Sequence, residues 1–230
     1  VTSSPNPFGP ELFRFLAELA RNNRRDWFEA NKARYEADVK EPALRFITDF
    51  AGPLAGISRH FRAIPSATRG SFFRIHRDIR FSGDKSPYKT FAGIHFRHET
   101  RGDVHVPGFY LHLEPNKSFV GMGIWRPDPP TLSQIRGRLV KDPAGWRRAI
   151  GSAAFKRMLR LSGESLKTPP RGYNAEHPLI EDIKRKDFVA IAELTNTRVL
   201  AKDFPRRFAK LCEAGGGLVR WLCLAVGVPY

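Results

Sequence analysis

The densest run of chemically capable side chains is R-I-H-R-D-I-R-F-S-G-D-K-S-P-Y-K-T, residues 74–90. Arg74, Arg77, Arg80, Lys85 and Lys89 alternate there with His76, Asp78, Asp84, Ser82, Ser86 and Tyr88. Arg offers a planar fork of donors and Lys a compact charge, so such a loop can bind phosphate or carboxylate oxygens. Asp78 and Asp84 would orient those bases or ligate a cation. An Asp–Arg network that only staples the loop to a sheet accounts for the same residues. The order is not that of a phosphate-binding P-loop, which Gly83-Asp84-Lys85-Ser86 matches only in fragments. Carboxylates among so many cations should have lowered pKa values, which disfavours them as general acids.

A second basic turn could complete a pocket. Lys167, Arg171, Gly172 and Tyr173 lie in the loop K-T-P-P-R-G-Y-N. If the two loops met, Arg77, Arg80, Lys85, Lys89, Lys167 and Arg171 would surround an anion. Gly121 and Gly123 alternate along one strand face and leave room for a ligand or another backbone, or they mark a bulge. Phe72, Phe73, Tyr88 and Phe91 interleave with the bases and could stack on nucleobases, although such Phe residues also make core. The candidate ligand-binding set is therefore Arg74, Arg77, Asp78, Arg80, Asp84, Lys85, Tyr88, Lys89, Lys167 and Arg171.

Other chemistries have less support. His76, His95, His98, His105 and His112 cluster, but no H-x-x-x-H, H-E-x-x-H or Cys–His spacing accompanies them, so no metal site is assigned. No G-x-S-x-G motif is present, neither cysteine has a local catalytic motif, and no cofactor or catalytic residue is identified.

The elements that must carry these residues fall into three stretches of one domain. Residues 1–58 read as helices: Leu12, Phe15, Leu16 and Leu19 share a face, and Asn22-Asn23 interrupts the pattern. A second helix stops before Pro42, and Gly52-Pro53 should kink or end a third. Residues 59–126 switch to short β-prone runs at 72–75, 93–96, 109–113 and 117–125. Within F-Y-L-H-L-E, Phe109, Leu111 and Leu113 alternate with Tyr110, His112 and Glu114, as in a sheet covered on one side only. Pro115-Asn116 is a hairpin turn. Residues 127–230 return to helices at 132–140 and 146–161, helical turns at 179–183, a strand at 189–194 and a helix over 204–226. That last helix should break at Gly215-Gly216-Gly217, since each Gly costs about 1 kcal/mol relative to Ala. The fold expected is α+β: one mostly antiparallel central sheet with N-terminal and C-terminal helices packed on it.

The 230 residues contain 41% hydrophobic and 27% charged residues, ordinary globular composition that excludes a disordered chain. Lys and Arg number 39 against 23 Asp and Glu, a net charge of +16. Residues 1–58 are neutral, with 8 of each sign, so the excess enters after residue 58. That field suits an anionic partner, although it says nothing of fold. No apolar run approaches the roughly 20 residues that span a bilayer, and the opening V-T-S-S-P-N-P-F does not read as a signal peptide. Cys212 and Cys223, on one expected helix, sit too far apart for a disulfide and suit a reducing cytoplasm.

F-R-F-L-A-E-L-A-R-N-N-R-R-D-W-F near residues 13–28 and the 74–90 segment resemble the uncharacterised family called domain of unknown function 2461. G-M-G-I-W-R-P at 121–127, Arg136 and L-K-T-P-P-R-G-Y at 166–173 fit the same pattern. The resemblance implies one α+β domain and no settled activity. The reading favoured is binding of a phosphorylated ligand or nucleic acid by the 74–89 loop. Its alternatives are an enzyme on a phosphate-bearing substrate at that loop, with Asp78 or Asp84 as cation ligand or base, and a structural or adaptor protein. No membrane partner is expected.

Overall fold

The computed structural model describes residues 5–80, 83–100 and 106–230. Helix α1 (Pro10–Arg21) buries Leu12, Phe15, Leu16 and Leu19 and stops where the Asn22 side chain bonds back to the Glu18 carbonyl at 2.9 Å. Helices α2 (Arg25–Ala30) and α3 (Lys32–Tyr35) run through a π-turn (Glu36–Lys40) directly into α4 (Glu41–Ile57). The chain therefore passes both prolines expected to end a helix. Pro42 follows the π-turn, whose Glu41 N–H bonds back to the Glu36 carbonyl, and the helical path continues through it. Pro53 lies within α4 on its exposed side, where water can reach the unpaired carbonyl.

A six-stranded antiparallel sheet follows, in the order β1 (Phe61–Arg62), β2 (Ala92–His98), β3 (Gly108–Leu113), β4 (Ser118–Ile124), β6 (Phe188–Leu194), β5 (Arg160–Ser162). The β3–β4 hairpin turns at Asn116, which adopts φ 61°. The expected strand at 72–75 is reduced to one bridge, Phe72 to Ile94. After Phe73 the chain leaves the sheet edge and pairs with its own return path, through a His76–Tyr88 bridge and the Arg77 N–H on the Pro87 carbonyl at 2.9 Å.

The C-terminal helices are α5 (Pro129–Lys141), α6 (Pro143–Gly151), α7 (Ala153–Met158), α8 (Ile180–Ile183), α9 (Asn196–Leu200) and α10 (Phe204–Ala225). The single helix expected over 146–161 is two, because Ser152 turns extended and its hydroxyl caps the Phe155 N–H at 3.1 Å, after which the chain becomes β5. The expected break at Gly215–Gly217 is absent, and α10 runs unbroken through it. Tertiary approach overrides propensity here. A side chain at Gly215 would collide with the Met122 sulfur of β4, and one at Gly217 would stand 3.0 Å from the Ala149 carbonyl of α6.

Helices α4 and α10 cover one face of the sheet. Phe50 of α4 meets Phe96 at 4.9 Å and Phe208 at 4.7 Å between ring centroids, and Trp146 of α6 meets Trp221 at 4.9 Å. Ile94, Phe96, Phe109, Leu111, Val120, Met122 and Ala190 are the buried sheet residues on this side. The structure thus has the α+β architecture read from the sequence. Among the described residues, no helix is long and apolar enough to cross a membrane.

Candidate binding surface

Most charges of the 74–89 loop are engaged within the loop. Arg77 pairs with Asp84, and Arg80 forks onto both oxygens of Asp78 at 2.9 and 2.7 Å. Asp84 also accepts from the Ser86 N–H and hydroxyl at 2.9 and 2.7 Å. Lys85 donates to the Ile79 carbonyl, and Lys89 to the carbonyls of Arg74 and His76 at 2.5 and 2.7 Å. The bond from Arg80 holds the Asp78 carboxyl down at about 2, and the Ser86 hydroxyl followed by Arg77 pulls Asp84 below the usual carboxylate range. Burial, and after it Arg74 and Arg77, lowers the Lys89 ammonium. Arg74 itself stands exposed. Tyr88 is no surface group: its buried ring stacks on Phe28 of α2 at 4.1 Å. Ser82 and His105 lie outside the described residues.

Asn23, which sequence reasoning passed over as a helix interruption, clamps this loop to the N-terminal helices. Its side chain donates to the Tyr88 carbonyl at 2.9 Å and accepts from the Tyr88 N–H at 3.0 Å. Asparagine is the side chain that can present both halves of a backbone-like pair, so the N-N pair was the available signal.

Lys167 and Arg171 are exposed, but the structure does not bring them to the first loop. The 74–89 loop leaves the β1–β2 edge at the sheet end marked by Gly93 and His112. The 163–178 loop follows β5 on the far edge, at the opposite end, where Ser162, Val189, Gly123 and Gly108 lie in register. Five strand spacings of about 4.8 Å separate those edges. The two loops therefore occupy diagonal corners, and Arg136 anchors the end of α8, beyond the second loop, by donating to the Ile183 and Arg185 carbonyls.

What the loop borders is a layer of rings. The sheet positions pointing away from α4 and α10 include Gly93, His95 and Arg97 of β2, Gly108, Tyr110 and His112 of β3, and Phe119, Gly121 and Gly123 of β4. The rings lean over the glycines. Tyr110 and Phe73 cover Gly93, His95 covers Gly108, and Phe119 and Tyr110 cover Gly121. Contacts run from Phe91 to His112 at 4.4 Å, His112 to Phe119 at 4.8 Å, Phe119 to Tyr110 at 5.8 Å and Tyr110 to Phe73 at 5.7 Å. The layer is half-buried, and no helix covers it among the described residues. Exposed Arg97 sits over the Phe73 ring at 5.8 Å and donates to His95 Nδ1 at 3.3 Å. Burial, with Arg97 adding to it, depresses His95 to about 4, so it is neutral near pH 7.

A hydrogen-bonded chain crosses this layer. The Tyr110 hydroxyl is 3.0 Å from His112 Nδ1, and His112 Nε2 is 2.9 Å from the Glu114 carboxylate. Sequence reasoning placed these residues on the polar face of their strand, but not the rings around them. The alternation in F-Y-L-H-L-E and the spaced glycines of G-M-G were the signals. Among the described residues, no three His, Cys, Asp or Glu side chains converge as metal ligands.

These features define an α+β protein whose antiparallel sheet is roofed by helices on one side and by a single thickness of aromatic rings on the other. The chain belongs to the family of conserved hypothetical proteins DUF2461, whose pattern it matches over residues 11–221. No curated protein and no solved structure matches it.

Proposed function

We propose that the protein binds single-stranded nucleic acid across the ring-covered face of its sheet, with the 74–89 loop forming one margin. The observation that carries this reading is the ring layer itself, half-open, with the exposed Arg97 guanidinium lying over Phe73 and bonded to His95 at its margin. Every base presents a π-face, so a row of rings beside cations holds a strand without reading its sequence. Arg74, Arg97 and Lys117 are exposed cations at or near this face, within a chain of net charge +16. The loop then has a division of labour. Arg77, Arg80, Asp78 and Asp84 keep its shape, and Arg74 faces solvent for a phosphate. The two thiols, buried and unpaired on α10, suit a reducing compartment, and we place the protein in the cytoplasm.

The test is fluorescence anisotropy with labelled single- and double-stranded oligonucleotides at low and near-physiological salt. The expected result is preference for the single strand, with a salt slope of about 0.7 for each phosphate contacted. Phe119→Ala and Arg97→Ala, folded by circular dichroism, should each weaken binding. Loss of one stacked base should cost about 1–3 kcal/mol. Arg77→Ala should leave affinity nearly unchanged. Binding seen only at low salt and indifferent to the face variants would refute the reading. Competition by a mononucleotide as strong as that by the oligomer would redirect it to a phosphorylated small ligand.

A further inference from the structure

Tyr110 and His112 occupy alternate positions on β3 and Glu114 follows directly after its last residue, and the hydrogen bonds set the three side chains in a row on the ring-covered face. A carboxylate can only accept, so Glu114 fixes the imidazole proton on Nε2. The Nδ1 lone pair then accepts the Tyr110 hydroxyl proton. In this arrangement Tyr110 spends its only proton inward and offers an arriving ligand nothing but oxygen lone pairs. An anionic oxygen meeting that lone pair is repelled.

Adding one proton to His112 inverts the row. Both ring nitrogens then donate, Nε2 still to Glu114 and Nδ1 now to the Tyr110 oxygen. The phenolic hydrogen is released from the imidazole and free to turn to the ligand side. At the same time an imidazolium forms in contact with Phe91 and Phe119, whose faces tolerate a cation. A hydroxyl donor and a positive charge replace a lone pair and a neutral ring, and both changes favour a phosphate oxygen. We propose that Tyr110 and His112 form a proton-gated phosphate subsite, closed to phosphate when His112 is neutral and opened when it is protonated. This rests on the nucleic-acid reading above, for which it names a backbone contact and its control.

The surroundings of His112 are compatible with such a switch. Its own strand supplies Tyr110, the residue after that strand is Glu114, and the segment before β2 supplies Phe91, with Lys89 two residues earlier anchored on backbone carbonyls. Phe119 comes from β4, and Glu193, opposite Phe119 on β6, is already held by Arg160. Lys117 stands 3.7 Å from the outer oxygen of Glu114. Burial lowers the His112 pKa below the usual imidazole value while Glu114 opposes that shift, so the ring is neutral at pH 7 and gains its proton on the acid side. Burial holds His95 down to about 4, and His112→Gln leaves His95 in place, so that variant separates the two rings.

The experiment measures the affinity of a labelled oligothymidylate by anisotropy at constant ionic strength from about pH 5 to about pH 8. Wild type should bind more tightly as pH falls, approaching tenfold per pH unit where one proton is fully linked. His112→Gln keeps an amide donor for Glu114 but cannot charge, and its affinity should be flat with pH. Tyr110→Phe retains the ring but should lose most of the acid-side gain. In the folded wild type, the His112 imidazole titration followed by NMR should move upward when the oligonucleotide is added. Binding that is tight but flat with pH, or equally pH-dependent in His112→Gln, would overturn the gate and leave the nucleic-acid reading standing. Absence of binding at every pH would overturn both.

Discussion

Replacing Gly215 and Gly137 by alanine separates two opposed effects of a helical glycine. Both residues lie inside helices, α10 and α5, and at either site alanine gains about 1 kcal/mol of intrinsic helix propensity. At Gly137 the new methyl group meets nothing within 4 Å, so the gain should appear in full. At Gly215 it would overlap the Met122 sulfur and stand 3.2 Å from Leu159 Cδ1. Met122 is 2% exposed and Leu159 6%, so neither can swing into solvent. Overpacking of this kind costs about 1–3 kcal/mol. Gly215→Ala should therefore be destabilising by up to about 2 kcal/mol, net of propensity. Gly137→Ala should be stabilised by up to about 1 kcal/mol. For a chain of this size each kcal/mol moves the melting temperature by about 2–4 °C. Thermal and urea unfolding, followed by far-UV circular dichroism, should show the two variants on opposite sides of wild type. A Gly215→Ala protein as stabilised as Gly137→Ala would refute the argument that close approach to β4, rather than helix breaking, accounts for the glycine run.

Asp187, 3% exposed, accepts the Arg126 and Glu164 N–H groups at 2.8 Å each, and Asp187→Ala should cost about 2 kcal/mol in urea unfolding because two backbone donors lose a charged acceptor. Asn23→Ala should leave global stability nearly intact but loosen the 74–89 loop, seen as faster hydrogen exchange of the Arg77 and Lys89 amides, which depend on the clamped bridge. Asp78 and Asp84 have depressed pKa values in the folded protein, so the order they give the loop is complete above the ordinary carboxylate range. The part that Asp78 gives is lost as pH falls from about 4 through about 2, and the part that Asp84 gives at lower pH still, which carboxyl NMR titration would record; protonation of either at pH 4 would contradict it. Burial raises both thiols, Cys223 to about 12, and neither should react with a disulfide reagent at neutral pH until the protein is unfolded.

Periodicity made the architecture legible where one face was apolar and the other was not. Phe109, Leu111 and Leu113 marked β3, and the Leu–Phe face marked α1. The failures have a common cause in residues read locally whose role is tertiary. Pro42, Pro53 and Gly215–Gly217 signal helix ends by propensity, yet each sits where its local cost is small or is recovered in packing. Ser152 is the converse, a single capping hydroxyl inside a stretch of sound helical periodicity. The site divides in the same way. That residues 74–90 are charge-rich is plain in the sequence, but which charge faces which neighbour is not. The pairing of Arg77 with Asp84 and of Arg80 with Asp78 is settled by the turn that returns Tyr88 to His76. The wide separation of Lys167 and Arg171 from that loop follows from strand order, because β6 intervenes between β4 and β5, a crossover no local pattern announces.

Glycine has the same physical role on both faces of the sheet, and that symmetry bears on where the ligand is sought. On the inner face, Gly215 lets α10 descend onto Met122. On the outer face, Gly93, Gly108 and Gly121 let Tyr110, His95 and Phe119 lean in against the backbone. Larger residues at those strand positions would push the rings outward, into solvent, where each would bury less of its area. Packed against the strands, the rings shield the backbone without a second helical layer, and they leave a partly exposed aromatic surface whose neighbouring rings are stacked, tilted or perpendicular to one another. A loop of paired charges needs no ligand to satisfy it. Such a ring layer still exposes part of its apolar area, so covering it with the flat faces of nucleobases releases further free energy. Disturbing that close approach while keeping every ring is therefore the sharpest test of the surface. Gly93→Val would lift Tyr110 and Phe73, and should weaken oligonucleotide binding more than it lowers stability. A Gly93→Val protein that folds and binds as wild type does would show that the layer is only a cover for the sheet.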